Sequence, residues 1–283
     1  MLTDVRKARF VFVGNRASVY RRMRELGIEP ILTFAKPDSF LSRYLDSRGI
    51  AYRLLPPKPD FVQEIATLDF DYFLSNGLAY IMPVSKLADG TGRKFVNVHP
   101  SCLPDLKGRH PVNGAVLFGR DAGATCHYMD DGVDTGRIIA RVRIPYSDDL
   151  DAALLYRLTF PAEADAFQLA VERGFEVDEG VEDRTDALYY SIREGDDEID
   201  LTQDVGPVLA RVRAFASVNH YAKIDIAGTT VRVVSARQIV NPYFVEKYQA
   251  LRPGDEALRY ERSIVFRCGD GFVCFDVNGG GFK

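Results

Sequence analysis

The chain has 283 residues, 46% of them hydrophobic and 27% charged, with a net charge of -4, which is the balance of an ordinary globular protein. Basic and acidic side chains are even in both the first 185 residues and the remainder, which speaks against a nucleic-acid partner, since such surfaces carry a basic excess. No apolar run approaches the roughly 20 residues a bilayer requires, the start lacks a secretory leader, and the four scattered cysteines suit a reducing compartment, so a soluble, cytoplasmic protein without membrane contact is expected.

In chain order, Phe10 to Val13 reads as a strand ending at Gly14, and Val19, Met23 and Leu26 follow at helical spacing. Further strands are expected at Pro30 to Phe34, Tyr52 to Leu55, Asp71 to Leu74, Phe95 to Val98, Thr125 to Met129 and Ile138 to Ile144. Helical stretches around Phe40 to Leu45, Phe61 to Leu68 and Val112 to Phe118 separate some of them. This alternation predicts an α/β fold with a doubly wound, mostly parallel sheet. A long helix is expected from Asp148 to about Arg173, kinked or divided at Pro161 and ended by Gly174.

The acidic, turn-rich stretch from Glu176 to Asp186 reads as a linker. Residues 1–185 are therefore expected to form a catalytic domain and residues 186–283 a smaller β-rich one. The second contains a helix at Val205 to Phe215 and strands at Tyr221 to Ile226, Thr230 to Ile239, Ser263 to Arg267 and Phe272 to Val277. Ala227-Gly228 and Gly269-Asp270-Gly271 are plausible hairpin turns, and Gly279 to Gly281 a flexible tail.

The chemistry concentrates in Asn97-Val98-His99-Pro100-Ser101-Cys102-Leu103-Pro104-Asp105-Leu106-Lys107-Gly108, at the end of an expected buried strand. In open α/β sheets ligands bind outside the carboxyl ends of strands, and Asn97 and His99 share strand parity and hence a face. A second cluster, Met129 to Gly136, ends another expected strand; its glycines permit a tight loop that aims Asp134 back across the sheet edge.

Taken singly, His99 reads as a satisfied structural histidine and Asp134 as a turn residue. His110 and His127 stay open between packing and function. Gly14-Asn15-Arg16 follows the first strand, but the spacing of a dinucleotide-binding glycine loop is absent. Asp196-Asp197-Glu198 reads as a solvated loop, and no metal site is suggested.

With these residues in view, the sequence resembles the folate-dependent formyltransferases, whose members include glycinamide ribonucleotide transformylase, methionyl-tRNA formyltransferase and the sugar-nucleotide N-formyltransferases. Their pattern Asn-x-His-x-Ser-x-Leu-Pro-x-x-x-Gly, followed by Asp-x-Gly, is matched by Asn97, His99, Ser101, Leu103, Pro104, Gly108, Asp134 and Gly136. The resemblance spans residues 9 to 180 and, more weakly, Arg211 to Val234. It implies formyl transfer from N10-formyltetrahydrofolate to an amine, with Asn97, His99 and Asp134 as catalytic residues and neither a metal nor a covalent intermediate.

It further implies a folate pocket built from Asn76, Gly77, Leu78, Tyr80, Ile81 and Met82 and from the loop carrying Asp130, Asp131 and Gly132. Asn15, Arg16, Ser101, Arg109 and Asn113 are the implied acceptor contacts. The run Arg109-His110-Pro111-Val112-Asn113 is most similar to the sugar-nucleotide enzymes, which implies a nucleotide-linked amino sugar as acceptor, a role in surface polysaccharide (O-antigen) biosynthesis and a homodimer.

The alternatives are methionyl-tRNA formylation and formylation of an amine in a peptide natural product. From another class, a folate-binding protein without catalysis is disfavoured by the intact Asn97, His99 and Asp134. A formyl-folate hydrolase is disfavoured because the first strand begins near Arg9, leaving no room for a preceding sensing domain.

Overall fold

The computed structural model describes residues 5–181, 184–217 and 220–278, so the expected glycine tail lies outside the described residues. By contacts the chain divides into two compact units: residues 1–111, 121–145 and 157–190 form one, and residues 112–120, 146–156 and 191–283 the other. The doubly wound sheet and the smaller β-rich module expected from the sequence are both present.

In chain order, the first elements are β1 (Phe10–Gly14), α1 (Ser18–Glu25), β2 (Leu32–Ala35), α2 (Phe40–Ser47), β3 (Arg53–Leu54), α3 (Lys58–Thr67), β4 (Tyr72–Asn76), α4 (Val84–Ala88) and β5 (Lys94–His99). They are followed by α5 (Pro111–Leu117), β6 (Ala122–Tyr128), β7 (Ile138–Ile144) and α6 (Ala152–Glu172). The seven strands form one sheet in the order β3-β2-β1-β4-β5-β6-β7. The pairs from β3 to β5 are parallel, whereas β5–β6 and β6–β7 are antiparallel.

All five residues of β1 are buried, as a central strand covered on both faces requires. Its alternation sorts the core. Phe10 and Phe12 join Val19, Tyr20 and Met23 of α1 and Phe167 of α6 on one face, while Val11 and Val13 join Phe61 and Ile65 of α3 on the other. The buried side of α1 is apolar, and Arg21 and Arg24 are exposed. Because β1 lies between β2 and β4, the winding direction reverses there, opening a crevice at the ends of β1 and β4.

Several sequence expectations are corrected. The helix expected from Asp148 starts at Ala152: Asp151 Oδ1 accepts from Leu154 N–H at 2.8 Å and so caps it, while Asp148 accepts from Tyr146 and Arg213. The helix is not divided at Pro161. Ala162 and Ala166 behind the proline pack against Ala124, and the helix continues past the ring although it forfeits a backbone hydrogen bond there. The strand expected from Pro30 begins at Leu32.

The second unit contains α7 (Val205–Ala214), β8 (Lys223–Ile226), β9 (Thr229–Ile239), α8 (Pro242–Tyr248), β10 (Glu256–Tyr260), β11 (Ser263–Arg267) and β12 (Phe272–Val277). Its strands form an antiparallel sheet in the order β10-β11-β12-β9-β8. The β8–β9 turn places Ala227 at φ 51° and Gly228 at φ 80°, the left-handed pair that a two-residue hairpin uses. The sequence reading passes over β10, an edge strand whose mostly exposed residues show no apolar alternation, and over α4 and α8.

At the crevice, a Cβ on Gly14 would stand 2.6 Å from the main-chain oxygen of Asn76. Gly14→Ala should therefore force β1 and β4 apart and cost about 1–3 kcal/mol, the usual range for overpacking a core. Urea unfolding measures it, and an unchanged midpoint would show that the strands yield freely.

Candidate active site

The site is built on β5 and β6. Their antiparallel register sets Asn97 opposite His127 and His99 opposite Thr125, so all four side chains share one face. His99 and His127 are almost fully buried, at 7% and 2% exposure.

The loop after β5 is fixed by its own polar groups. Ser101 Oγ donates to Asp105 O at 3.1 Å; Thr125 Oγ1 donates to Ser101 O at 2.7 Å and accepts from Leu103 N–H at 3.0 Å. Asp105, buried, accepts main-chain N–H groups from Leu106 at 3.0 Å and Leu188 at 2.8 Å. Lys107 and Leu188, and Tyr190 and Lys107, exchange further main-chain bonds. The residues just beyond the expected linker, Leu188 to Tyr190, are thus paired to the loop bearing Ser101 and Gly108.

Asp134 sits in the left-handed region at φ 54°. One carboxylate oxygen accepts from Gly108 N–H at 2.9 Å. The other lies 3.5 Å from His99 Nδ1 and 3.7 Å from His127 Nε2. His99 Nε2 is 3.3 Å from Leu106 O, and Asn97 Nδ2 is 3.2 Å from His127 Nε2. Asn97, His99 and Asp134 are thereby brought together, with His127 as a fourth member.

Burial pulls His99 below its ordinary value, against the attraction of Asp134 and the Leu106 carbonyl, with Arg16 adding repulsion. Burial likewise pushes His127 down to about 4, again opposed by Asp134. Both rings are neutral at pH 7, and His99 lies between two acceptors that only a second ring proton would satisfy together. Cys102 shows no nucleophilic activation, because burial raises its thiol.

In the β1–β4 crevice, Arg16 is ion-paired with the fully buried Glu163, to which Ser18 also donates. Burial raises the Glu163 carboxyl, and Arg16 is the largest opposing influence. Asn15 Oδ1 and Asn76 Oδ1 are buried with no hydrogen-bond partner. Gly77 stands at φ 87°, and a Cβ there would come within 2.2 Å of Asn15 Oδ1. Sequence reading missed Glu163. Its signal is an acid at a core-facing position of α6, four residues after buried Thr159 and four before Phe167.

The other expected site residues are placed as follows. Leu78, Tyr80 and Met82 pack against the core containing Phe61, while Ile81 is exposed; Tyr80 Oη donates to Pro56 O at 2.9 Å. Asp130 Oδ1 accepts from Gly132 N–H and Thr135 Oγ1, and Asp131 caps the start of α4 through Ser85 N–H at 3.0 Å. Arg109 is exposed beyond Gly108. Asn113 belongs to the other unit, where it is buried and donates to Ala214 O at 2.7 Å.

A family model described as formyl transferase matches residues 17–171, more than half of the chain. The chain belongs to the formyl transferase family. Among its relatives, the methionyl-tRNA formyltransferase of Halorhodospira halophila is 29% identical over 258 residues, covering 81% of this chain and 80% of that protein. The same enzyme of Geobacter sulfurreducens is 26% identical over 293 residues, covering 94% and 87%.

Among solved structures, an N-formyltransferase from Helicobacter canadensis, in complex with folinic acid and dTDP-3-aminofucose, superposes with a TM-score of 0.71 at 16% identity, covering 95% of this formyltransferase and 99% of that chain. A 4-N formyltransferase from Francisella tularensis gives 0.67 at 18% identity, covering 82% and 97%. At such identities the likeness is one of fold.

Removing Glu163 would leave Arg16 inside the protein without its carboxylate partner. Glu163→Ala should lower the stability of this formyltransferase by about 3–5 kcal/mol, as breaking one side of a buried pair does. Denaturant unfolding reads the change; a loss below about 1 kcal/mol, typical of solvated pairs, would show that the pair is not a buried one.

Proposed function

We propose that this formyltransferase transfers the formyl group of N10-formyltetrahydrofolate to the amine of a nucleotide-linked amino sugar, using Asn97, His99 and Asp134. The observation that carries the reading is the neutral, buried His99 held against the Asp134 carboxylate, with the Asn97 amide on the same face of β5.

The folate, when bound, supplies an electrophilic formyl carbon. Its pocket is proposed at Asn76 to Met82 and the loop of Asp130, Asp131 and Gly132. Two features fit a pterin: the main-chain N–H groups of Leu78, Tyr80 and Ile81 make no hydrogen bond among the described residues, and the Asn76 side-chain oxygen lacks a partner. A heterocycle rich in donors and acceptors suits such groups.

As an amine attacks, negative charge grows on the formyl oxygen and positive charge on the nitrogen. Asn97 offers an amide N–H to the oxygen. His99, neutral beforehand, takes the amine proton and hands it to the folate nitrogen as the bond from that nitrogen to the formyl carbon breaks, while Asp134 stabilises the intervening imidazolium across 3.5 Å. Since Gly108 N–H fixes the other Asp134 oxygen, the carboxylate meets the ring without reorganising.

A sugar nucleotide as acceptor is supported by the even charge of the chain and by exposed Arg109, whose fork geometry suits a diphosphate. Asn15, Arg16 and Ser101 complete the proposed acceptor contacts, and Asn113 is not among them, since it is buried in the other unit and donates to Ala214 O. The solved relative in complex with dTDP-3-aminofucose supports the same choice. The homodimer, the cytoplasmic location and the surface-polysaccharide role belong to this proposal. A second reading, methionyl-tRNA formylation, is favoured by the sequence relatives.

Radiolabelled formyl transfer measured on UDP-, GDP- and dTDP-linked amino sugars and on charged initiator tRNA should show turnover on a sugar nucleotide; activity confined to tRNA would replace the first reading with the second. His99→Ala and Asp134→Ala should each lower kcat by about 10²–10⁴-fold, the usual contribution of a positioned acid–base group, with the fold retained by circular dichroism. Because burial depresses His99, the acid limb that this residue contributes to kcat/KM should lie below the ordinary histidine value of 6.5, apart from the limb set by the acceptor's own amine. An enzyme limb above 6.5 that remains after the amine's own titration is accounted for would exclude His99 as the base.

A further inference from the structure

His127 lies directly across the β5–β6 ladder from Asn97 and is 2% exposed. Its Nδ1 is 2.8 Å from the main-chain oxygen of Tyr128. A carbonyl only accepts, so Nδ1 carries the ring proton. The ring is neutral, which leaves Nε2 as a bare acceptor, and that atom is 3.2 Å from Asn97 Nδ2.

An amide turned the other way would set the Asn97 oxygen against the Nε2 lone pair, with the Asp134 carboxylate 3.7 Å from the same nitrogen. Three acceptors would then share one buried space with no proton between them. The backbone carbonyl of Tyr128 therefore decides, through His127, which way the Asn97 amide faces.

We propose that His127 is a positioning residue for formyl transfer: by accepting one N–H of Asn97 it holds the amide in a single orientation and aims the second N–H at the formyl oxygen. This rests on the reading of Asn97 as the donor to that oxygen. His127 itself exchanges no proton with substrate.

The test compares two unbranched replacements of similar length. His127→Gln retains an acceptor oxygen and should keep kcat within about fivefold of the parent, whereas His127→Met has none and should lower kcat by about 10²-fold, the cost of one misaligned oxyanion donor. KM for both substrates should change by no more than about twofold, because only the transition state uses the aimed N–H. In an Asn97→Ala background, His127→Met should add no further loss.

Equal losses from His127→Met in both backgrounds, or equal rates for the Gln and Met variants, would overturn the proposal. Asn97→Ala turning over at the parental rate would instead overturn the underlying reading of Asn97, which separates the two failures. If the Met variant does not fold, nitrogen-15 spectra of the parent protein, which has four histidines, decide. A protonated Nδ1 and bare Nε2 for His127 are expected, and the opposite tautomer sinks the idea.

Discussion

The carboxylate of Asp134 is an anion held inside the protein, and the arrangement around it follows from keeping it there. Gly108 N–H anchors one oxygen at 2.9 Å, and two imidazoles face the other. Bringing the loop backbone this close requires Gly108 at φ 105°, where a Cβ would strike Tyr190 O at 2.6 Å. Gly136 has its counterpart contact, since a Cβ there would meet Tyr128 O. Both glycines of the sequence pattern thus serve the carboxylate, one by approaching it and one by letting its loop close on β6. Desolvation outweighs the attraction of Asp134 for either ring, so the charge stays on the carboxylate until a proton arrives.

The sheet contributes two different things. Its parallel half ends in the β1–β4 crevice, where Gly14, Asn15 and Gly77 crowd together and Glu163 holds Arg16. Its antiparallel end reverses direction at β6, so that residues distant in sequence meet rung by rung on one face. A parallel neighbour would cross at another register, and the two histidines would not flank one oxygen.

What was legible in the sequence were features carried by local spacing. Asn97, His99, Ser101 and Gly108 lie within one strand and loop, and Asp134 follows a strand whose glycines mark a turn. The apolar runs of β1 and β7 are strong enough to place them to within a residue. His127 stayed ambiguous because parity along β6 does not say which rung of β5 it meets; that needs the antiparallel register. Glu163 was hidden because an acid in a helix normally faces water, and only the packing of α6 against β1 and β6 shows it inside. The start of α6 was misplaced because Asp148 and Asp151 are equally good caps by sequence, and tertiary contacts of Asp148 decide between them.

The pairing of residues 188–190 with the Lys107 strip bears on how such enzymes could be recombined. Asp105, 2% exposed, depends on Leu188 N–H and on Arg184 at 3.4 Å. A chimaera that exchanged everything after residue 185, where the composition changes, for a foreign carboxyl-terminal module would strip a buried carboxylate of a main-chain donor and leave the loop bearing Gly108 unbraced. A junction placed after Tyr190 carries this brace along, but the incoming module must then also replace what Ala214 and Arg213 give Asn113 and Asp148, because residues 112–120 and 146–156 belong to the same unit as residues 191–283.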